Sequence, residues 1–218
     1  RYQPDSVELW CRLADTYERL GRLLAAQTAA ARALATQPDC PQALLQLATV
    51  ECALYQLDAA LPRLQRLAEE LLPHTPIALA ALVQCHALCA RREHALGNHA
   101  AAAAALTTAR TLVDTTRTDD AFLRCAPVLK IWGDVFTASY HYRVVSGDEN
   151  GGADGGSAEQ TTKQRKVMRE YLDRGYGYYK AALEQLPEHA SRAPLLVDCA
   201  MNRAASATLV CGQKEADA

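Results

Sequence analysis

Residues 85–99, CHALCARREHALGNH, gather two cysteines and three histidines within fifteen positions. Thiolate and imidazole are the ligands that zinc favours. The spacing argues otherwise. Cys85 and Cys89 stand four apart, one helical turn, where a zinc knuckle needs the tighter C-x2-C, and no second cysteine pair follows closely. Two thiols one turn apart on an apolar helix face are small hydrophobes. The glycines of 151–156 lack both the preceding strand and the helix-opening GxGxxG or GK[ST] pattern that cradles a phosphate. No GxSxG, HExxH or paired-carboxylate layout occurs. The expectation is no catalytic residue, no metal, no cofactor and no small-molecule substrate. KQRKVMREYLDR carries Lys163, Arg165, Lys166, Arg169 and Arg174, interleaved with Glu170 and Asp173. It reads as a solvated helical face that could touch an acidic partner or, indirectly, RNA.

The elements that would position any such residues are helical. Half of the 218 residues are apolar but only 6% aromatic, and Ala and Leu dominate. Both lose little side-chain entropy in a helix, and no run of alternating β-branched residues marks a strand. A net charge of −2 offers no broad nucleic-acid footprint. No stretch approaches 18 uninterrupted apolar residues, so no membrane span is expected. Eight cysteines in a helical chain of this size read as reduced thiols of the cytoplasm or nucleus.

Within 9–22, LWCRLADTYERLGR, Trp10, Leu13, Ala14 and Tyr17 share one helix face, and Gly21 stands where a left-handed cap would end the helix. A second helix follows with Ala26, Ala30 and Ala33 on one face and Pro38 after it. The spacing recurs near 34 residues: Leu44, Leu47 and Ala48 replace Trp10, Leu13 and Ala14, and Ala60 replaces Ala26. A third copy places Leu79, Leu82 and His86 in register. Its Gly97 arrives eleven residues after His86, where Gly21 follows Tyr17 by four, so about two helical turns are inserted. A fourth, starting near Phe122, aligns Leu129, Trp132, Gly133 and Phe136, with Gly175, Tyr179, Ala182 and Pro187 in its second helix. The polar, glycine-rich 146–160 between them reads as a disordered insertion. Leu196, Cys199 and Ala200 open a fifth.

This is the small/large pattern of the tetratricopeptide repeat, and it predicts an all-α, right-handed superhelical solenoid of antiparallel helix pairs. The units run over about 7–40, 41–74, 75–117 and 119–188, with a partial unit at 191–211. Each unit buries its face only against neighbours, so an array stopping mid-unit is expected to continue. Where the family places an aromatic in the second helix this chain has Ala30, which predicts a tighter or underfilled contact there.

Stacked helix pairs present first-helix side chains to a partner. Glu8, Asp15, Gln42, Gln46 and Thr49 project away from the packing stripe and form the candidate protein-binding set. The slots that chaperone-binding repeats fill with Lys, Asn and Arg hold Cys11, Asp15, Gln46, Ile77 and Ala81, which would not clamp a carboxylate. Only three asparagines occur, Asn98, Asn150 and Asn202, too few for an asparagine ladder.

Read together, QCHALCARREHALGNHAAAAAALTTARTLV and LKIWGDVFTASYHY resemble the tetratricopeptide scaffold subunits of superkiller complexes. Cys85, His86, Lys130, Trp132, Gly133 and Asp134 carry the resemblance, together with the elongated third hairpin. It implies a non-catalytic scaffold joining an RNA helicase and WD-repeat subunits for 3′-to-5′ RNA decay by the cytoplasmic exosome. The alternatives are a tetratricopeptide adaptor of a transport, ubiquitin-ligase or chaperone-related assembly, and a regulatory segment of an enzyme.

Overall fold

Three turns of chain set the pattern of the fold. After Val7–Arg19 (α1), Gly21 has φ +71°. Its N–H reaches the Glu18 carbonyl while the Arg22 N–H reaches that of Tyr17, at 2.9 and 2.8 Å. This paired closure satisfies carbonyls that the helix end leaves without partners. After Pro41–Ala53 (α3) the same pair of bonds forms at Tyr55 and Gln56. After Pro76–Ala95 (α5) it forms at Gly97 and Asn98. Proline opens α3 and α5 at a position where its missing N–H has no helical partner to lose.

The computed structural model describes residues 6–73, 75–116, 119–149, 158–186 and 191–216, with backbone alone over 143–149, 158–161 and 210–216. Among them no strand occurs, and the chain is all-α. Leu23–Thr36 (α2) returns against α1, and Leu57–Arg66 (α4), continued by a π-turn over Leu67–Leu71, returns against α3. His99–Thr116 (α6), Asp120–Leu123 (α7), Ala126–Glu149 (α8), Ala158–Gln185 (α9) and Ala193–Ala216 (α10) complete the order. No helix is long and apolar enough to cross a membrane among the described residues. The insertion into the third hairpin lies inside its first helix: α5 has 20 residues, against 13 in α1 and in α3.

The fold divides into two compact units, Arg1–Cys89 and Ala90–Ala218, the division falling within the lengthened α5. In the first, Ala14, Ala26, Ala30, Ala33, Ala48 and Ala60 are fully buried or nearly so. Their lack of bulk lets helix backbones approach closely. Ala30 sits with Ala14, Ala29 and Leu47, lined by Trp10, Leu13 and Tyr17, so the contact there is tight. Trp10 itself is only half-buried, with the Arg32 guanidinium 5.0 Å from its ring centre. Leu47 is buried, whereas Gly21 and Pro38 are exposed and act through the backbone, as cap and as helix stop. Leu82 is buried in α5.

In the second unit α8 and α9 pack most extensively. Gly133 faces Tyr179: a Cβ there would overlap the ring, so only glycine permits the approach. Trp132, Tyr179 and Ala182 are buried. Pro187 lies outside the described residues. Phe122 belongs to the short α7, and the chain turns at Arg124–Cys125 before α8 begins; its ring stacks on Trp132 at 5.7 Å. The two ends differ from expectation. Residues 146–149 and 158–160, expected within a disordered insertion, are helical, and 150–157 lie outside the described residues. On α10 the buried stripe is Leu195, Cys199, Asn202 and Ser206, while Leu196 is 56% exposed and Ala200 is exposed. Apolar spacing alone puts the stripe one residue late, because two of its members are polar.

Candidate protein-interaction surface

Of the five residues singled out for binding, Glu8 and Asp15 lie on α1 and Gln42, Gln46 and Thr49 on α3. The Gln46 amide joins the two helices, its Nε2 donating to the Cys11 carbonyl at 3.1 Å. Gln46 therefore does not project free. It is half-buried, and its Oε1 is the one fully enclosed side-chain polar atom without a partner among the described residues. Thr49 donates to the Gln46 carbonyl at 3.0 Å. Glu8 and Gln42 are exposed, and Glu8 pairs with Arg12 at 2.6 Å. Asp15 pairs with Arg19 at 3.0 Å. Burial pushes the neighbouring Glu18 carboxyl above its ordinary range, and the charge of Asp15 adds to that. Glu8 and Asp15 are thus each paired with an arginine one turn on, and Asp15 puts no cation where a carboxylate clamp would need one. Cys11, in a slot that a carboxylate clamp would need, is 1% exposed, and burial first and then Cys40 push its thiol up to about 11.

Several side chains on which the sequence resemblance rests are gathered between α8 and α9. The Asp134 carboxylate accepts from Lys130 Nζ through one oxygen and from the Tyr179 hydroxyl through the other, both at 2.8 Å. Thr137 donates to the Gly133 carbonyl and shares a 3.2 Å contact with the Tyr179 hydroxyl. From α10, Asn202 donates to Thr137 Oγ1 at 2.8 Å. Burial pushes the Tyr179 phenol well above its usual range, so the ring stays a neutral donor at physiological pH. The Lys-x-x-Gly-Asp pattern is thus a packing device: Gly133 admits the ring, Asp134 anchors its hydroxyl, and Lys130, one turn back, pairs with Asp134. A groove of about 240 Å³ beside it is lined by Thr137, Tyr140, His141, Asp198 and Asn202. Local sequence patterns do not announce this network, because Thr137 and Asn202 are 65 residues apart.

The remaining sequence candidates are dispersed. Cys85 and His86 are buried, and desolvation holds the His86 imidazole below its ordinary range, hence neutral at pH 7. No group of three or more His, Cys, Asp or Glu converges as a metal site among the described residues. None of the described cysteine side chains forms a disulfide. Of the five cations singled out in KQRKVMREYLDR, Arg174 lies 4.1 Å above the Phe136 ring centre and pairs with Asp114, and Arg169 pairs with Asp173 at 3.5 Å. Lys163 and Lys166 are exposed.

Together these features define a class: an all-helical protein built from tetratricopeptide-type helix pairs. No family model matches the sequence, and no curated protein does. Among solved structures the chain is similar to TTC0263, a thermophilic TPR protein of Thermus thermophilus. Identity is 24% over 90% of this chain and 98% of that one, with a TM-score of 0.46. It is also similar to the MamA protein, at 16% identity over 84% of this chain and 93% of that one, with a TM-score of 0.40.

Proposed function

We propose that this chain is a non-catalytic protein–protein interaction scaffold, and that it belongs to the tetratricopeptide subunit of a superkiller-type assembly. In that reading it joins an RNA helicase to WD-repeat subunits and serves 3′-to-5′ mRNA decay by the cytoplasmic exosome. The observation that supports the scaffold class is the helix-pair repeat with its polar first-helix side chains, Glu8, Asp15 and Gln42, turned outward. The finer assignment is supported by the Lys130–Trp132–Gly133–Asp134 cluster and the elongated third hairpin that precedes it. RNA contact runs through its partners in this reading, since a net charge of −2 offers no broad basic footprint and Arg169 and Arg174 are paired with Asp173 and Asp114.

The test is to tag the full-length protein in its own cells and identify what co-purifies from RNase-treated lysate. A superkiller-type RNA helicase and a WD-repeat protein, in amounts comparable to the bait, are the expected result. A different assembly in their place would discard the RNA-decay reading and leave the scaffold class. Within the expected complex, Asp15→Lys should weaken partner recovery while melting temperature and helical circular dichroism stay unchanged. A collapse of either would make Asp15 a folding residue.

A further inference from the structure

His94 and His99 are separated by the glycine turn that ends α5 and starts α6. That turn reverses the chain, and the two imidazoles meet: their Nδ1 atoms are 3.2 Å apart and the ring centres 5.0 Å. The His94 ring is held in place by Tyr142 of α8, stacked on it at 4.4 Å with 14° between the planes. The contact is one imidazole N–H donating to the Nδ1 lone pair of the other, and a cation that displaced this proton would be held by both nitrogens. A tetrahedral zinc ion with bonds of about 2.0–2.1 Å sets its ligand nitrogens about 3.3 Å apart, which matches the spacing here. A cavity of about 40 Å³ adjoins the pair, with Thr107, Ser139 and Tyr142 in its wall. That is room for a cation and a water. Arg110 also lines it, its guanidinium 4.6 Å above the Tyr171 ring centre and donating to Thr107 Oγ1. Its charge opposes a cation and holds the affinity to a moderate value.

We propose that His94 and His99 form a two-histidine site for a divalent transition metal of the zinc class, with water in the remaining coordination positions. Imidazole suits Zn²⁺, Cu²⁺ and Ni²⁺ and disfavours Mg²⁺ and Ca²⁺. The bound ion would clamp the α5–α6 turn. The proposal is independent of the scaffold reading.

The experiment titrates Zn²⁺ into the reduced full chain by calorimetry and repeats the titration with Co²⁺ followed by absorption. One ion per chain is expected to bind, with micromolar affinity that falls about tenfold or more in His94→Ala and in His99→Ala. Tyr142→Phe, which keeps the stacked ring, should bind as the parent does. The Co²⁺ complex should show ligand-field bands without a thiolate charge-transfer band. Were either alanine variant to lose helical circular dichroism, His99→Gln, which keeps a polar side chain at the turn, should show the same loss of affinity. Binding undiminished in the histidine variants, a thiolate band marking cysteine ligation, or no binding at all would each overturn the site.

Discussion

The two units bring helices together by opposite means. In Arg1–Cys89 the helix interfaces are aliphatic and rich in alanine: Ala26, Ala30, Ala33, Ala48 and Ala60 are fully buried, with Val50, Leu57, Leu64 and Leu67 beside those of the second pair, while Trp10, Leu13 and Tyr17 are only half-buried. In Ala90–Ala218 the interface is aromatic. Phe122, Trp132, Phe136 and Tyr179 are each at most 2% exposed, and Tyr178 meets both Trp132 and Phe136 at ring distances of 5.4 and 5.7 Å. A flat small-residue surface gives close approach with little directional content. An aromatic interlock needs a matching hollow, supplied here by Gly133, and polar handles to orient the rings, supplied by Asp134 and Thr137. The second arrangement is the more specific, and a single methyl group is enough to disturb it.

The two tryptophans make the largest test. Trp132→Ala removes a ring that is 1% exposed and packed between Phe122 and Tyr178, and should cost about 3–5 kcal/mol in a denaturant titration. Trp10→Ala removes a half-buried ring and should cost about 1–2 kcal/mol. Equal losses would mean that the alanine-lined unit relies on its tryptophan as heavily as the aromatic one does.

Glycines give the next step down. Gly133→Ala gains about 1 kcal/mol of helix propensity but drives a methyl group into a buried ring whose hydroxyl is bonded to Asp134. The overpacking and the disturbed hydrogen bond should leave a net loss of about 2 kcal/mol. Gly177, on the facing helix α9, would place its methyl group in open space, with nothing within 4 Å. Gly177→Ala should therefore stabilise by about 0.5–1 kcal/mol. Opposite signs for two helical glycines, read as melting temperatures, separate a hollow from a spacer.

A smaller contrast lies in how the first unit treats a buried charge, where the second ties its polar groups into a network. Glu51 is 3% exposed and accepts from Arg63 at 2.9 Å, yet burial outweighs the pairing and its carboxyl sits above the ordinary range. The folded state then holds the proton more tightly than the unfolded chain does. Glu51 therefore favours folding at low pH, and this contribution is lost as pH rises through the raised value. Glu51→Gln should flatten the fall in melting temperature across that window and leave the rest of the pH profile in place. An unchanged slope would assign the effect to another carboxyl.

What the sequence reveals follows the same division. The alanine-lined pairs are legible because small residues at three- and four-residue steps have one physical reading, close helix approach, and a 34-residue period repeats it. The seven-residue excess of α5 is legible as a delayed Gly97. The stripe of α10 is not, because Asn202 and Ser206 are buried by bonds to Thr137 and Asp173, partners far away in sequence. Gln46 is obscured for the same reason: its acceptor, the Cys11 carbonyl, is a backbone group that no side-chain pattern announces. The His94–His99 contact needs the turn geometry as well as the spacing.

The smallest effect tests the caps. Gly21 and Gly97 hold the left-handed position at φ +71° and +79°, but the equivalent position after α3 is Tyr55, at φ +61°. A side chain there is strained, by about 1 kcal/mol relative to glycine. Tyr55→Gly relieves that strain, while the freer unfolded chain and the loss of a ring that is 44% exposed take some of the gain away. A net stabilisation of about 0.5 kcal/mol is expected in urea titration, against a loss of about 1 kcal/mol for Gly21→Ala at the matching cap. If Tyr55→Gly destabilised instead, the ring would be holding the α3–α4 turn by contacts stronger than the strain, and the three caps would not be interchangeable devices.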